Sequence, residues 1–218
     1  MSVKRIIVTA GPTREFLDPV RFLSNPSTGR MGFAIARAAA AAGCEVTLVA
    51  GPVALKTPKG VRRVDVVSAR DMLSAVRAEL RRGGAEVLVS TAAIADWRPA
   101  RCAKAKLKKR EMSGVLKLVR NPDLLKSVKG VLKVGFAAET GALAAEASRK
   151  CREKGLEFIV ANDVTRRGCG FGTATNEVTV FRRDGTRLEL PMMSKLSLAR
   201  RIVKEILQLE DRSSSSVR

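Results

Sequence analysis

Two short apolar runs bracket an Ala-rich stretch that contains no helix breaker, and this spacing constrains the fold more than any other feature. Val3–Thr9 is β-branched and ends at Ala10-Gly11-Pro12, the pattern of a buried strand. Met31–Ala42 carries no Pro and stops at Gly43, as a helix closed by a left-handed Gly should. Cys44–Ala50 is a second apolar strand. Strand, helix and strand make a βαβ unit, which commits the chain to a parallel sheet covered by helices.

The alternation continues. Strands are expected at Arg63–Val67, Ala85–Ser90, Val131–Ala138 and Leu156–Ala161, with helices at Ala69–Arg82 and Gly141–Lys154 between them. Near the end the period changes. Asn176–Arg182 and Thr186–Leu190 flank Asp184-Gly185, a two-residue hairpin signal. Ser194 can cap a last helix whose residues Leu196, Ala199, Ile202, Val203, Ile206 and Leu207 share one face. The fold expected is α/β: a doubly wound, mostly parallel, Rossmann-like sheet extended by a C-terminal hairpin. One domain spans residues 1–209, and the Ser-rich tail at 210–218 is expected to be disordered. The stretch Trp97–Arg120 breaks the alternation. It holds Lys104, Lys106, Lys108, Lys109 and Arg110 without a helical stripe, so it reads as a mobile basic flap, with a strand at Val115–Val119.

Composition then narrows the chemistry. The chain has no histidine, which removes Ser-His-Asp and Cys-His catalysis and the common His-bearing metal sites. Its four cysteines form no Cys-x-x-Cys pair and read as free thiols. No apolar run approaches the roughly 18 residues of a membrane helix. No apolar leader precedes the first strand, so a cytoplasmic location is expected. A net charge of +20 calls for anionic partners, either nucleic acid or small molecules bearing several phosphates.

Five segments can carry that chemistry. Ser27-Thr28-Gly29-Arg30-Met31-Gly32 lies where a strand feeds a helix; with Gly11 it can bring amides and a positive dipole end to phosphate, Ser27 or Thr28 capping the helix or donating. Gly32 can equally serve only to pack helix on sheet. Arg21-Phe22-Leu23-Ser24-Asn25 offers a guanidinium and an amide suited to a carboxylate or a developing oxyanion, although Asn before Pro26 is also a turn former. Ala92-Ala93-Ile94-Ala95-Asp96 follows a central strand, with small residues against which a ligand can lie. The flap lysines can bring charge to a closing site, or be solvated surface. Lys150 and Lys154, four apart on one helix, would repel unless they share an anion, Glu146 beside Lys150 being the plainer surface pair.

Taken in order, these segments resemble the phosphopantothenoylcysteine synthetase family. The resemblance rests on Thr9-Ala10-Gly11-Pro12-Thr13-Arg14-Glu15, Leu17-Asp18-Pro19-Val20-Arg21, Ser24-Asn25, Gly29-Arg30-Met31-Gly32-Phe33-Ala34, Ala92–Trp97, Asn121-Pro122-Asp123, Gly135–Thr140 and Ala161-Asn162-Asp163-Val164. It implies a ligase of coenzyme A biosynthesis. CTP, with Mg²⁺ or another divalent cation, activates the carboxylate of 4′-phosphopantothenate as an acyl-cytidylate, and L-cysteine displaces CMP. It also implies roles. Asn25, with Arg21 nearby, handles the phosphopantothenate and its acyl intermediate, together with Ala92, Ala93 and Asp96. Ser90, Thr91, Ala92, Asp96, Pro122, Asp123, Leu124, Leu125 and Phe136 line the nucleotide site. Lys150 and Lys154 hold the triphosphate, and Lys106 reaches the reacting phosphate. The family's usual flap has Pro-Glu before its lysines, whereas this chain reads Lys104-Ala105-Lys106-Leu107-Lys108-Lys109. Lys104 and Lys108 therefore rival Lys106. No metal ligands can be named, no flavin is expected in this chain, and a homodimer is implied.

Two competitors fare worse. A nucleic-acid binder would want stacking aromatics, yet the chain has no Tyr and 4% aromatics overall, so no specific nucleic acid is expected. An NAD(P)-dependent reductase would want the Gly-x-Gly-x-x-Gly fingerprint and an acid ending the second strand, which instead ends Ala50-Gly51-Pro52.

Overall fold

The computed structural model describes residues 4–111 and 114–209; the tail expected to be disordered lies outside them. The chain opens with β1 (Arg5–Ala10), then a small hairpin of β2 (Arg14–Phe16) and β3 (Phe22–Ser24). Helix α1 (Arg30–Ala41), β4 (Glu45–Ala50), β5 (Val61–Asp65), α2 (Ala69–Arg81) and β6 (Val87–Ser90) follow. The flap is anchored by β7 (Trp97–Pro99) paired antiparallel with β8 (Leu118–Arg120). After a single turn, α3 (Leu124–Ser127), come β9 (Leu132–Glu139), α4 (Leu143–Glu153), β10 (Phe158–Asp163), the hairpin β11 (Thr175–Arg182) and β12 (Arg187–Ser194), and α5 (Lys195–Leu207).

Eight strands form one sheet in the order β12-β11-β10-β9-β6-β1-β4-β5. The six from β5 to β10 are parallel and the last two antiparallel. Register is set by matched apolar residues: Val8 sits between Leu48 and Val89, and Val134 between Val89 and Phe158. Helices α1 and α5 cover one face, packing Ile35, Ala39, Leu198 and Ile202 on Ile6, Val8 and Val160. Helices α2, α3 and α4 cover the other through Met72, Val76, Leu124 and Ala147. Burial on both faces explains why β1, β4 and β6 read as continuous apolar runs rather than alternating ones.

The expected doubly wound sheet and its C-terminal hairpin are both present. Gly43 has φ +86 just beyond α1, and the Ser194 hydroxyl accepts from the Ser197 amide at the start of α5. Differences lie mostly at boundaries. The third strand begins two residues earlier than expected, at Val61, where pairing with Val46 starts. The flap strand lies at Leu118–Arg120 rather than Val115–Val119. The segment from Gly11 to Ser27, expected as loop, contains the β2–β3 hairpin, held by Phe16 against Phe22 with ring centroids 5.3 Å apart. Among the described residues no helix is long and apolar enough to cross a membrane.

Candidate active site

Strand order reverses between β1 and β6, so the connections leaving these two strands diverge and open a crevice at their carboxyl ends, the place where open α/β sheets take ligands. The divergence is stitched rather than loose. The Thr91 hydroxyl donates to the Thr9 carbonyl at 2.6 Å, and the Ala93 amide to the Gly11 carbonyl at 2.9 Å. The Ala95 amide donates to the hydroxyl of buried Thr13 at 3.0 Å. The resulting cleft is about 410 Å³.

Close approach of α1 to the sheet forms one wall. Gly29 is the N-cap of α1 with φ +75, and it packs against Gly11, itself at φ +78. Neither Ser27 nor Thr28 caps the helix, as the sequence allowed; the Ser27 hydroxyl accepts from the Gly29 amide, and no side chain satisfies the first turn. Those amides are left for a ligand. At Gly32 a Cβ would lie 2.3 Å from Thr91 Oγ1 and 2.5 Å from the Ala10 side chain. Gly32 is thus what lets the helix sit on the strand ends.

Asn25, Ser27, Thr28, Gly29, Thr91, Ala92, Ala93, Asp96, Phe136 and Lys150 all line this one cleft. The Asn25 amide donates to the Ala93 carbonyl at 3.1 Å, which uses one of its hydrogen-bonding positions and fixes the rest. Asp96 is exposed and is the one carboxylate among the described lining residues. Ser90 is buried in β6 just beneath. The Lys150 ammonium pairs with Glu139 at 2.5 Å, while Glu146 is taken by Arg149 instead.

Other expected site residues stand apart. Lys154 pairs with Asp123 at 3.0 Å, outside the lining. Burial raises the Asp123 pKa, but hydrogen bonds from Lys154 and the Lys126 amide outweigh it, and the net shift is downward. Asp123 caps α3, whose Leu124 and Leu125 are buried in the core. Pro122 precedes that cap on the same connection. Arg21 makes a clasp: its guanidinium pairs with Asp18 at 2.5 Å and donates to the Leu107 carbonyl at 3.0 Å. Asp18 is fully buried, and its carboxylate also accepts from the Leu107 amide at 3.2 Å. The Arg21 side-chain bond holds the Asp18 carboxyl far below the usual carboxylate range; burial opposes this, and the amides of Val20, Arg21 and Leu107 reinforce it. The clasp lays the flap along the 17–21 loop, with Lys104, Lys106 and Lys108 exposed and outside the cleft lining.

Asn162, from the Ala161–Val164 segment, also lines the cleft, and residues singled out by no motif complete it: Gly170, Phe171, Asn176 and Lys195. A signal existed for Lys195. It is a cation immediately after the cap of α5, where the helix dipole disfavours positive charge. Among the described residues, no group of three or more His, Cys, Asp or Glu side chains could hold a metal ion.

Comparison with known proteins identifies the family and the fold. Residues 1–209 match the model of the DNA/pantothenate metabolism flavoprotein C-terminal domain. The coenzyme A biosynthesis bifunctional protein CoaBC of Bacillus subtilis is 45% identical over 211 residues, 94% of this chain and 52% of the relative, and that of Escherichia coli is 44% identical over 214. The chain thus spans about half the length of these relatives. A crystal structure of the C-terminal domain of CoaBC superposes with a TM-score of 0.80 at 44% identity, covering 95% of this chain and 96% of that one. A Cab2 mutant in complex with phosphopantothenate-cysteine has the same fold, with a TM-score of 0.80 at 15% identity, covering 97% and 88%.

Proposed function

The chain belongs to the family of DNA/pantothenate metabolism flavoprotein C-terminal domains, and on that premise we propose that it is the ligase that joins 4′-phosphopantothenate to L-cysteine. The observation that carries this reading is a convergence. Asn25 and the uncapped start of α1, Asp96, Phe136 and Lys150, drawn from four separate stretches of sequence, meet in one cleft at the strand-order reversal.

The reading includes CTP as the activating nucleotide and an acyl-cytidylate as intermediate. Forming it spreads negative charge over phosphate oxygens, which Lys150, the α1 amides and a divalent cation would stabilise without any histidine. Mg²⁺ fits as a companion of the nucleotide, held mostly by phosphate and water with Asp96 at hand, since Mg²⁺ is rarely caged by protein alone. Asn25 would hold the pantothenate carboxyl, and the second step needs mainly proximity and exclusion of water. Glu139 now neutralises Lys150, so a triphosphate would exchange one anionic partner for another.

The test is direct. With 4′-phosphopantothenate, CTP, Mg²⁺ and cysteine, the protein should release equal amounts of pyrophosphate and CMP. No pyrophosphate with either CTP or ATP would sink the ligase reading; release with ATP alone would sink only the choice of nucleotide.

A further inference from the structure

The far wall of the cleft holds cations that the reaction above leaves unused. Lys150 on α4 and Lys154 at its C-cap face carboxylates, Glu139 and Asp123 respectively. Lys195 and Arg30 do not. Lys195 is only 9% exposed, and its ammonium donates to one carbonyl, that of Gly170 at 3.1 Å. Arg30, on the first turn of α1, donates to the carbonyl of Gly172 at 3.2 Å. The two grip neighbouring residues of one loop with no carboxylate between them. Burial pushes the Lys195 ammonium below its ordinary pKa, Arg30 pushes it further, and the Cys169 thiol opposes. A buried cation in this state favours an anion beside it.

A second, independent observation lies next to it. Asn176 on β11 is 7% exposed, and its Oδ1 has no hydrogen-bond partner. It lines the cleft together with Lys195, Arg30, Ser27, Thr28 and Gly29. A carboxamide can present oxygen or NH₂ at nearly the same place by a half-turn, so it can accept from a protonated ligand oxygen or donate to a bare one. An ammonium, a guanidinium, an unpartnered amide and the open first turn of a helix together match a small tetrahedral anion.

We propose that Lys195, with Asn176 and Arg30, binds a phosphoryl group at this end of the cleft. The subsite rests on the ligase reading only for the two sources of that group. It is either the phosphomonoester of 4′-phosphopantothenate or the polyphosphate of the nucleotide, and the chemistry recognised is the same.

Calorimetric titration of the full chain with four ligands singly separates the outcomes: 4′-phosphopantothenate against pantothenate, and CTP against cytidine. Wild type should prefer the phosphorylated member of each pair. In Lys195→Met and in Asn176→Asp, which adds a carboxylate to the same cleft lining, that preference should fall about 10- to 100-fold in at least one pair. Loss in the pantothenate pair identifies the monoester, and loss in the cytidine pair the triphosphate. Unchanged preference in both pairs overturns the proposal. So does equal weakening of phosphorylated and unphosphorylated ligands, which is what a purely structural pin on the Gly170 loop would give. If Lys195→Met fails to fold by circular dichroism, Asn176→Asp decides alone. A wild type that binds these ligands without releasing pyrophosphate would end the ligase reading and leave the subsite standing.

Discussion

Asn25 and Asp18 lie seven residues apart in one connection and do different work. Asn25 reaches the cleft with its amide fixed by the Ala93 carbonyl, so it can act on a substrate without spending ligand-binding energy on its own ordering. Asn25→Ala should therefore lower turnover about 100-fold or more, with CTP affinity nearly unchanged; steady-state kinetics beside CTP titration will check the split. Asp18 lies outside the cleft lining. It binds the Val20, Arg21 and Leu107 amides and the Arg21 guanidinium, and so holds the flap. Its folded-state pKa lies below the unfolded value of about 4. The contribution is therefore fully present above about pH 4 and is lost as pH falls through the folded-state value. Asp18→Asn should release the flap at neutral pH. That change should be visible in the emission of Trp97, the only Trp and part of the flap's base, and should slow turnover about tenfold or more through misplacement.

At the scale of elements, α1 and the strand ends beneath it share one constraint. Gly32→Ala would drive a methyl into Thr91 and Ala10, so the helix must lift away from the cleft it lines. Destabilisation of about 1–3 kcal/mol is expected in urea unfolding, with ligand binding lost in step. The βαβ alternation was legible because strands buried on both faces and a breaker-free Ala-rich helix leave long signals. The β2–β3 hairpin was not. Its three-residue strands are too short to show a period, and it is held by the Phe16–Phe22 contact and Arg14 over Phe22, which only tertiary structure brings together. The site divides similarly. Contiguous runs such as Ser27–Gly32 and Ala92–Asp96 announced themselves, whereas Lys195 and Asn176 are single residues that meet the cleft only once β11, β12 and α5 are folded against α1. Thr13 and Glu15, part of the same sequence pattern as Arg14, are buried ties: Glu15 accepts from the Ala69 amide at the start of α2.

At the scale of the whole molecule, six of the ten exposed large apolar side chains among the described residues belong to the hairpin region and the flap. Val20 and Phe22 of the hairpin region and Trp97, Val115, Leu116 and Leu118 of the flap are all exposed. Such exposed apolar surface suits the homodimer implied by the family resemblance better than open water. Phe22→Asp with Val115→Asp should give a monomer by light-scattering chromatography; wild type eluting as a monomer at micromolar concentration would refute the dimer. The way the flap is fastened has a consequence for how the chain can change over time. Its tie to the 17–21 loop runs through the amide and carbonyl of residue 107 and the amide of residue 103, backbone atoms that any residue but proline supplies. Drift at positions 104, 105 and 106 therefore leaves the anchorage intact. A flap free to vary while its hinge pin stays constant can trade one lysine for another without first losing its place.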